Sequence, residues 1–371
     1  MNLNTLFKAF VFWLSEYKFC RTNNPPVNKT LLIVKVDGIG DYVLFRNFIE
    51  ILKNSKRFQG YRFIFCGNTS VKDLAETLDS RWIDQFIWVN QDLLVNRLSY
   101  RKQLFEKIKQ LGAETVIQPT FSRDYFAGDS LVKAIEAPQK IGSQGNCANT
   151  PPWLKKWADA LYSHLIPADP TPMFEFNRNK EFFEQLLDSP IGLSQAYIDW
   201  QDKEPLPIKS PYLILFPGAG QDTRRWPIAC FIETATQIQK ETGLHVVIAG
   251  DSSTMAGITH NSFQAIITKS LTDLTALING CSLLICNDTG AAHLGAALYK
   301  PVVCISNGSS SIRFHPYPDN IHHFSVVYPS PDIIKKQAPW RIKTISVDQV
   351  TQAATSLLSL YNQSFRSPPS A

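Results

Sequence analysis

Short apolar runs alternate along this chain with stretches whose apolar residues recur at helical spacing. In the first half, Leu31–Val36, Tyr61–Cys66, Ile83–Val89 and Thr115–Gln118 are predicted strands, with helices over Tyr42–Leu52 and about Leu98–Leu111. In the second half, Tyr212–Phe216, His245–Ala249, Ala265–Ile267, Leu283–Cys286 and Val302–Ile305 read as strands. Helices are expected over Ile228–Glu241, Leu271–Asn279 and Ala291–Leu298. Such alternation predicts an α/β protein with parallel sheets covered by helices on both faces. Two doubly wound, Rossmann-like domains of this kind are expected to turn their strand C-termini toward a shared crevice, where ligands of such folds bind.

The breaks in the pattern set the expected boundaries. Asp202, Lys203, Glu204, Pro205, Pro207 and Pro211 make a polar, helix-poor segment. The reading is an N-terminal extension over 1–28, a first domain over 29–200, a second over 201–362 and a tail at 363–371 read as disordered. Ile141–Pro172 carries Pro151, Pro152, Trp153 and Trp157 and reads as a long functional loop with a short helix. In the extension, Leu3, Leu6, Phe7, Phe10, Val11 and Leu14 fall at helical spacing. The apolar stretch Ala9–Leu14 is too short to span a bilayer, and no small-residue cleavage site follows it. Two readings stay open: a helix docked on the first domain, or an interfacial helix in peripheral contact with a membrane.

Length and composition agree with this organisation. The 371 residues exceed what one core usually holds, about 250–300 residues. With 44% hydrophobic and 19% charged residues, a large core is available. A net charge of +5 is too small to argue for a nucleic-acid partner. Seven cysteines, an odd count without a C-x-x-C, fit a reduced cytosolic compartment better than a disulfide framework or a zinc site.

Three segments carry candidate chemistry. Asn287-Asp-Thr-Gly-Ala-Ala-His-Leu-Gly-Ala-Ala-Leu-Tyr-Lys-Pro301 follows an apolar strand and opens a helix of small residues. Asp288 and Thr289 can cap it, and Thr289 and His293 share the face of its first turn. Free N–H groups and the positive dipole end make such a start a phosphate site, but a capped turn with a surface histidine has the same local pattern. Leu215-Phe-Pro-Gly-Ala-Gly-Gln-Asp-Thr-Arg-Arg-Trp-Pro227 runs from a strand through Gly218 to Arg224 and Arg225, whose guanidinium forks suit phosphate oxygens. In Lys35-Val-Asp-Gly-Ile-Gly-Asp41 the glycines allow a tight turn, and Asp41 at the helix mouth is either a cap or a general base. Asp251, after the strand His245–Ala249, could reach a ribose.

Together these segments resemble glycosyltransferase family 9, the bacterial heptosyltransferase family of lipopolysaccharide core assembly. Leu32-Ile-Val-Lys-Val-Asp-Gly-Ile-Gly-Asp-Tyr-Val-Leu44 resembles its first strand and Gly-Asp turn. Phe216-Pro-Gly-Ala-Gly with Arg224-Arg-Trp-Pro227 resembles its second signature, and Asn287-Asp-Thr-Gly-x-x-His-Leu294 with Lys300-Pro-Val-Val303 its third.

The resemblance implies a GT-B fold, with the acceptor in the first domain and a nucleotide sugar in the second. It implies Asp41 as catalytic base and Arg224, Asp288, Thr289, Gly290 and His293 as donor contacts, with Gly218, Arg225 and Asp251 as secondary candidates. Arg224 stands where the family commonly has Lys, and Phe216 where many members have His. The implied activity is an inverting transfer, of heptose from an ADP-linked donor above all, onto an envelope glycan or lipopolysaccharide acceptor. No metal and no cofactor beyond the donor are expected, and the expected location is the inner face of the cytoplasmic membrane. A nucleotide-sugar epimerase of the same fold and a non-catalytic nucleotide-binding protein are the rival readings.

Overall fold

The computed structural model describes residues 3–17, 25–201, 208, 211–258, 263–318 and 323–364. The linker residues Asp202, Lys203, Glu204, Pro205 and Pro207 and the tail from 365 onward lie outside the described residues. The chain forms two compact units, Met1–Thr171 with Phe176–Leu193, and Pro172–Glu175 with Ser194–Ala371.

The first unit begins with α1 (Leu3–Tyr17), β1 (Asn28–Lys35), α2 (Ile39–Val43), α3 (Asn47–Asn54), β2 (Arg62–Asn68), α4 (Lys72–Asp79) and β3 (Gln85–Val89). It continues through α5 (Gln91–Asn96), α6 (Leu98–Lys109), β4 (Ala113–Gln118), α7 (Gly128–Lys133), β5 (Gln139–Ser143), α8 (Pro152–Asp159), β6 (His164–Ile166) and α9 (Glu175–Leu187). The strands form one sheet in the order β3-β2-β1-β4-β5-β6, with neighbouring strands parallel. Leu31 to Val34 are all buried because β1 is covered on both faces. Leu32 and Val34 pack with Leu104, Phe105, Ile108 and Leu131 on one side. On the other side Phe45, Phe48, Phe65, Phe176 and Phe183 stack ring against ring.

The second unit contains β7 (Tyr212–Phe216), α10 (Ile228–Thr242), β8 (His245–Gly250), α11 (Ser252–Met255), β9 (Gln264–Ile267), α12 (Leu271–Gly280) and β10 (Leu283–Asn287). Then come α13 (Gly290–Ala297), β11 (Val302–Ile305), β12 (Phe324–Val327), α14 (Pro331–Lys335) and α15 (Val347–Ser364). Its sheet runs β12-β11-β10-β7-β8-β9, again with neighbouring strands parallel. The order reverses between β7 and β10, so the loops after these two strands lie at the topological switch point. Small residues let α13 lie close to the sheet: a Cβ at Gly295 would come within 2.6 Å of Val302 Cγ2. Leu215, Ile248, Ile285 and Ile305 fill the opposite face with Trp226, Phe231, Val350 and Leu357.

Several expectations need correction. The helix foreseen over Tyr42–Leu52 is two helices with a turn at Leu44–Arg46. Tyr42 and Arg46 both reach the buried Asp79, Arg46 Nη2 at 2.7 Å from Oδ1, so side-chain pairing below the helix fixes where it breaks. The segment Ile141–Pro172 is not one long loop, since it holds the end of β5, all of α8, and β6. His164-Leu-Ile166 was overlooked because β6 is a three-residue edge strand with little apolar signal. The N-terminal extension is helical over Leu3–Tyr17, and its Ala9 and Phe12 are buried against the first unit, so this helix is docked on it.

Candidate donor site at a helix start

The second unit's site is built by Asn287, the last residue of β10. Its side chain is fully buried; Oδ1 accepts the backbone N–H of Trp226 at 3.0 Å, and Nδ2 donates to the carbonyl of Pro217 at 2.7 Å. One side chain therefore pins both ends of the loop that carries Gly218 and Arg224. Asn307 adds a third clamp, donating Nδ2 to the Thr223 carbonyl at 2.9 Å. Trp226 anchors the loop in the core, donating Nε1–H to the Ile345 carbonyl at 3.0 Å.

Within this frame Thr289 is the N-cap of α13, in extended conformation, and its side chain makes no capping bond. Its Oγ1 is buried without a hydrogen-bond partner, as is Nε of Arg224. Buried polar groups are ordinarily satisfied, so two orphans next to a helix start fit an anionic ligand's oxygens. Gly290 opens the helix, whose first N–H groups have no partner within the helix.

Asp288 is buried beside them. Its Oδ2 accepts from Ser306 Oγ at 3.3 Å and lies 3.1 Å from His315 Nε2. The histidine contact falls outside the geometry of a straight hydrogen bond. Burial pushes the Asp288 carboxyl up, but His315 and Arg224 around it outweigh that and hold it below the usual carboxylate range. Asp288 is therefore ionised at neutral pH.

His293 is also buried. Its Nδ1 sits 2.7 Å from Tyr317 Oη, and Phe314 packs edge-on to the ring. Desolvation lowers its pKa to about 4 against the opposing pull of Asp288, so the ring is neutral. Burial raises the Tyr317 phenol well above its ordinary value, so its O–H remains available to donate to Nδ1.

Arg225 and Asp251 have local engagements. Arg225 turns back on its own loop, donating Nε and Nη2 to the Ala219 carbonyl at 3.1 and 2.9 Å and pairing with Asp222 at 3.0 Å. Asp251 caps α11, accepting from Thr254 N at 2.7 Å and Ser253 Oγ at 2.8 Å. Gly218 is buried against Thr254 and Phe216, where a Cβ would meet Thr254 Oγ1 at 3.2 Å. The structure thus groups Arg224, Asp288, Thr289, Gly290 and His293 at the ends of β7 and β10, while Arg225 and Asp251 also brace their own loops.

Asp41 belongs to the first unit, in the first turn of α2 just past the C-terminus of β1. Nearby in sequence, the buried Lys35 pairs with Asp37 at 2.8 Å, and Thr120 Oγ1 donates to the same Asp37 oxygen at 2.6 Å. Asp37 is thereby held between β1 and β4.

The sequence pattern did not single out Asn287, Ser306, Asn307, His315 or Tyr317 as site residues. The sequence predicts no element beyond the strand Val302–Ile305, and the following segment has no apolar periodicity. The sequence does contain His315-Pro-Tyr317, two ring residues in a loop directly after a parallel strand.

The model of the family described as "Glycosyltransferase family 9 (heptosyltransferase)" matches residues 103–340, more than half of the chain. The chain belongs to this family. As a family 9 glycosyltransferase it is 23% identical over 245 residues to lipopolysaccharide heptosyltransferase 3 of Escherichia coli strain K12, covering 60% of this chain and 68% of that protein. It is similar in structure to a glycosyl transferase family 9 protein of Veillonella parvula, with a TM-score of 0.70 and 20% identity over 91% of this chain and 100% of the other. The E. coli heptosyltransferase WaaC with ADP-2-deoxy-2-fluoro heptose aligns at TM-score 0.67 and 14% identity, over 87% of this chain and 98% of that one. The enzyme thus has the GT-B fold class and the glycosyl-transfer activity that the three signatures implied.

Proposed function

We propose that this glycosyltransferase transfers heptose from an ADP-linked donor to a lipopolysaccharide or related envelope-glycan acceptor, with inversion and without a metal or cofactor. The observation that carries the reading is the pair of unsatisfied buried groups, Arg224 Nε and Thr289 Oγ1, beside the start of α13. They suit a diphosphate, and two heptosyltransferases named above support heptose as the sugar. Among the described residues no cluster of His, Cys, Asp or Glu has metal-binding geometry, and a diphosphate held by a guanidinium and a helix start needs none.

Glycosyl transfer breaks the bond from the anomeric carbon to the donor's diphosphate and forms one to an acceptor oxygen. Positive charge grows on the sugar and negative charge on the departing diphosphate. Arg224, the first N–H groups of α13 and His293 stabilise that departing charge, each donor worth on the order of 10²–10³ in kcat. Asp288, ionised and close to Arg224, steadies the guanidinium electrostatically. Asp41 takes the acceptor hydroxyl proton, a contribution of roughly 10²–10⁴-fold.

A thermal-shift panel of ADP-heptose and of UDP-, GDP- and CMP-sugars tests the donor. A ligand at 100 times its dissociation constant stabilises the folded protein by about 2.7 kcal/mol. ADP-heptose is expected to raise Tm and the others not. No shift with any of them, under conditions where the enzyme is folded, would defeat the reading.

A further inference from the structure

We propose that the first unit docks on an anionic lipid bilayer through an apolar hollow between α1 and α8. The hollow has a volume of about 870 Å³ and is lined by Leu6, Phe7, Phe10, Tyr125, Trp157 and Leu161 among others. Three of its large side chains face solvent: Phe7 is 70% exposed, Phe10 56% and Trp157 50%. Exposed aromatics grouped around one apolar hollow mark an interaction surface.

The helix that carries two of these rings is firmly seated. Ala9 and Phe12 are buried; Phe12 meets Phe126 edge-on at 5.5 Å, and the Arg101 guanidinium lies 4.4 Å from the Phe12 ring centroid. With Phe12 turned into the protein, Phe7 and Phe10 are presented outward by a fixed support rather than by a loose tail. Trp157 is braced on α8 by Trp153, ring to ring at 5.6 Å. Tryptophan and phenylalanine held in this way suit the boundary between headgroups and acyl chains.

Charge chooses the occupant. Lys133 lines the hollow, and Lys155 and Lys156 directly precede Trp157 on α8. Lys155 pairs with Asp159, which is also held by Arg123, while Lys156 is exposed. A basic rim around aromatic anchors complements anionic headgroups. It opposes a second copy of the chain in a two-fold contact, which would bring the same lysines against each other. No described helix is long and apolar enough to cross a membrane, so any contact through this surface is peripheral.

The test is flotation of the full-length protein with phosphatidylcholine vesicles, with and without phosphatidylglycerol, in the absence of donor and acceptor. The wild type is expected to float with the phosphatidylglycerol vesicles, and added salt should weaken the binding. Phe7→Ser, Phe10→Ser and Trp157→Ser should each reduce partitioning about tenfold. Lys133→Glu and Lys156→Glu should reduce it about fivefold or more. Donor-induced thermal shift and Tm serve as folding controls and should stay at wild-type values. Three results overturn the proposal: no flotation of folded wild type, variants that float like the wild type, or wild-type self-association that Phe10→Ser abolishes while vesicle binding is unchanged. None of these outcomes depends on the sugar transferred.

Discussion

Asn287 holds Trp226 in place by accepting its backbone N–H at 3.0 Å, and the same amide donates to the Pro217 carbonyl on the other side of the loop. The end of β10 thereby fixes the position of Arg224 in the loop after β7. Two strands that are far apart in sequence are joined at the switch point by one buried side chain.

Replacing Asn287 tests that coupling. Asn287→Ala leaves a buried N–H and a buried carbonyl unsatisfied, at about 1–3 kcal/mol for each. Urea unfolding should show the loss directly. Donor affinity should fall as well, because Arg224 is no longer held. A variant that unfolds earlier yet binds donor as the wild type does would separate the clamp from the site.

Arg224 behaves in the opposite way. Its Nε is buried without a partner, so Arg224→Ala should leave stability nearly unchanged or raise it. Turnover should drop by about 10²–10³ if the guanidinium stabilises the departing diphosphate. Arg224→Lys keeps the charge but not the fork, and should recover part of the rate. Steady-state kinetics beside differential scanning calorimetry read both quantities; unchanged kcat in Arg224→Ala would remove Arg224 from the mechanism.

For Asp41, the informative variant is Asp41→Asn. Turnover should fall by roughly 10²–10⁴ while the donor-induced thermal shift stays at its wild-type size. Equal turnover in variant and wild type would place the base elsewhere. Loss of donor binding as well would give Asp41 a structural role.

His293 ties stability to pH. Burial lowers its folded pKa to about 4, below the ordinary 6.5, so the unfolded chain binds more protons between those values. Stability is therefore lost as pH falls from 6.5 toward 4, by about 3 kcal/mol in the limit. Urea midpoints measured across this range should slope more steeply for the wild type than for His293→Gln. Parallel slopes would mean that the imidazole titrates as freely as in the unfolded chain.

Much of the core architecture was legible because local and global requirements coincide. Leu31–Val34 and Leu283–Cys286 are apolar at successive positions because both sheet faces are covered, and that leaves a mark in the sequence. The weakly marked parts are those whose burial is one-sided or partial. β6 is a half-polar edge strand, and β12 keeps only Val327 buried.

Most of the central strands and the family signatures, including the oxygen-bearing residues at the start of α13, are legible in the sequence alone. Periodicity and capping act over a few residues, so they can be read locally. It takes the folded chain to make Asn287 clamp the Arg224 loop, to set His315 beside Asp288, and to bury His293 against Tyr317, where desolvation keeps it neutral. Those relations depend on which strands are neighbours and on how far each group is removed from water. Parallel pairing and desolvation arise from the folded chain as a whole, and no short stretch of sequence encodes them.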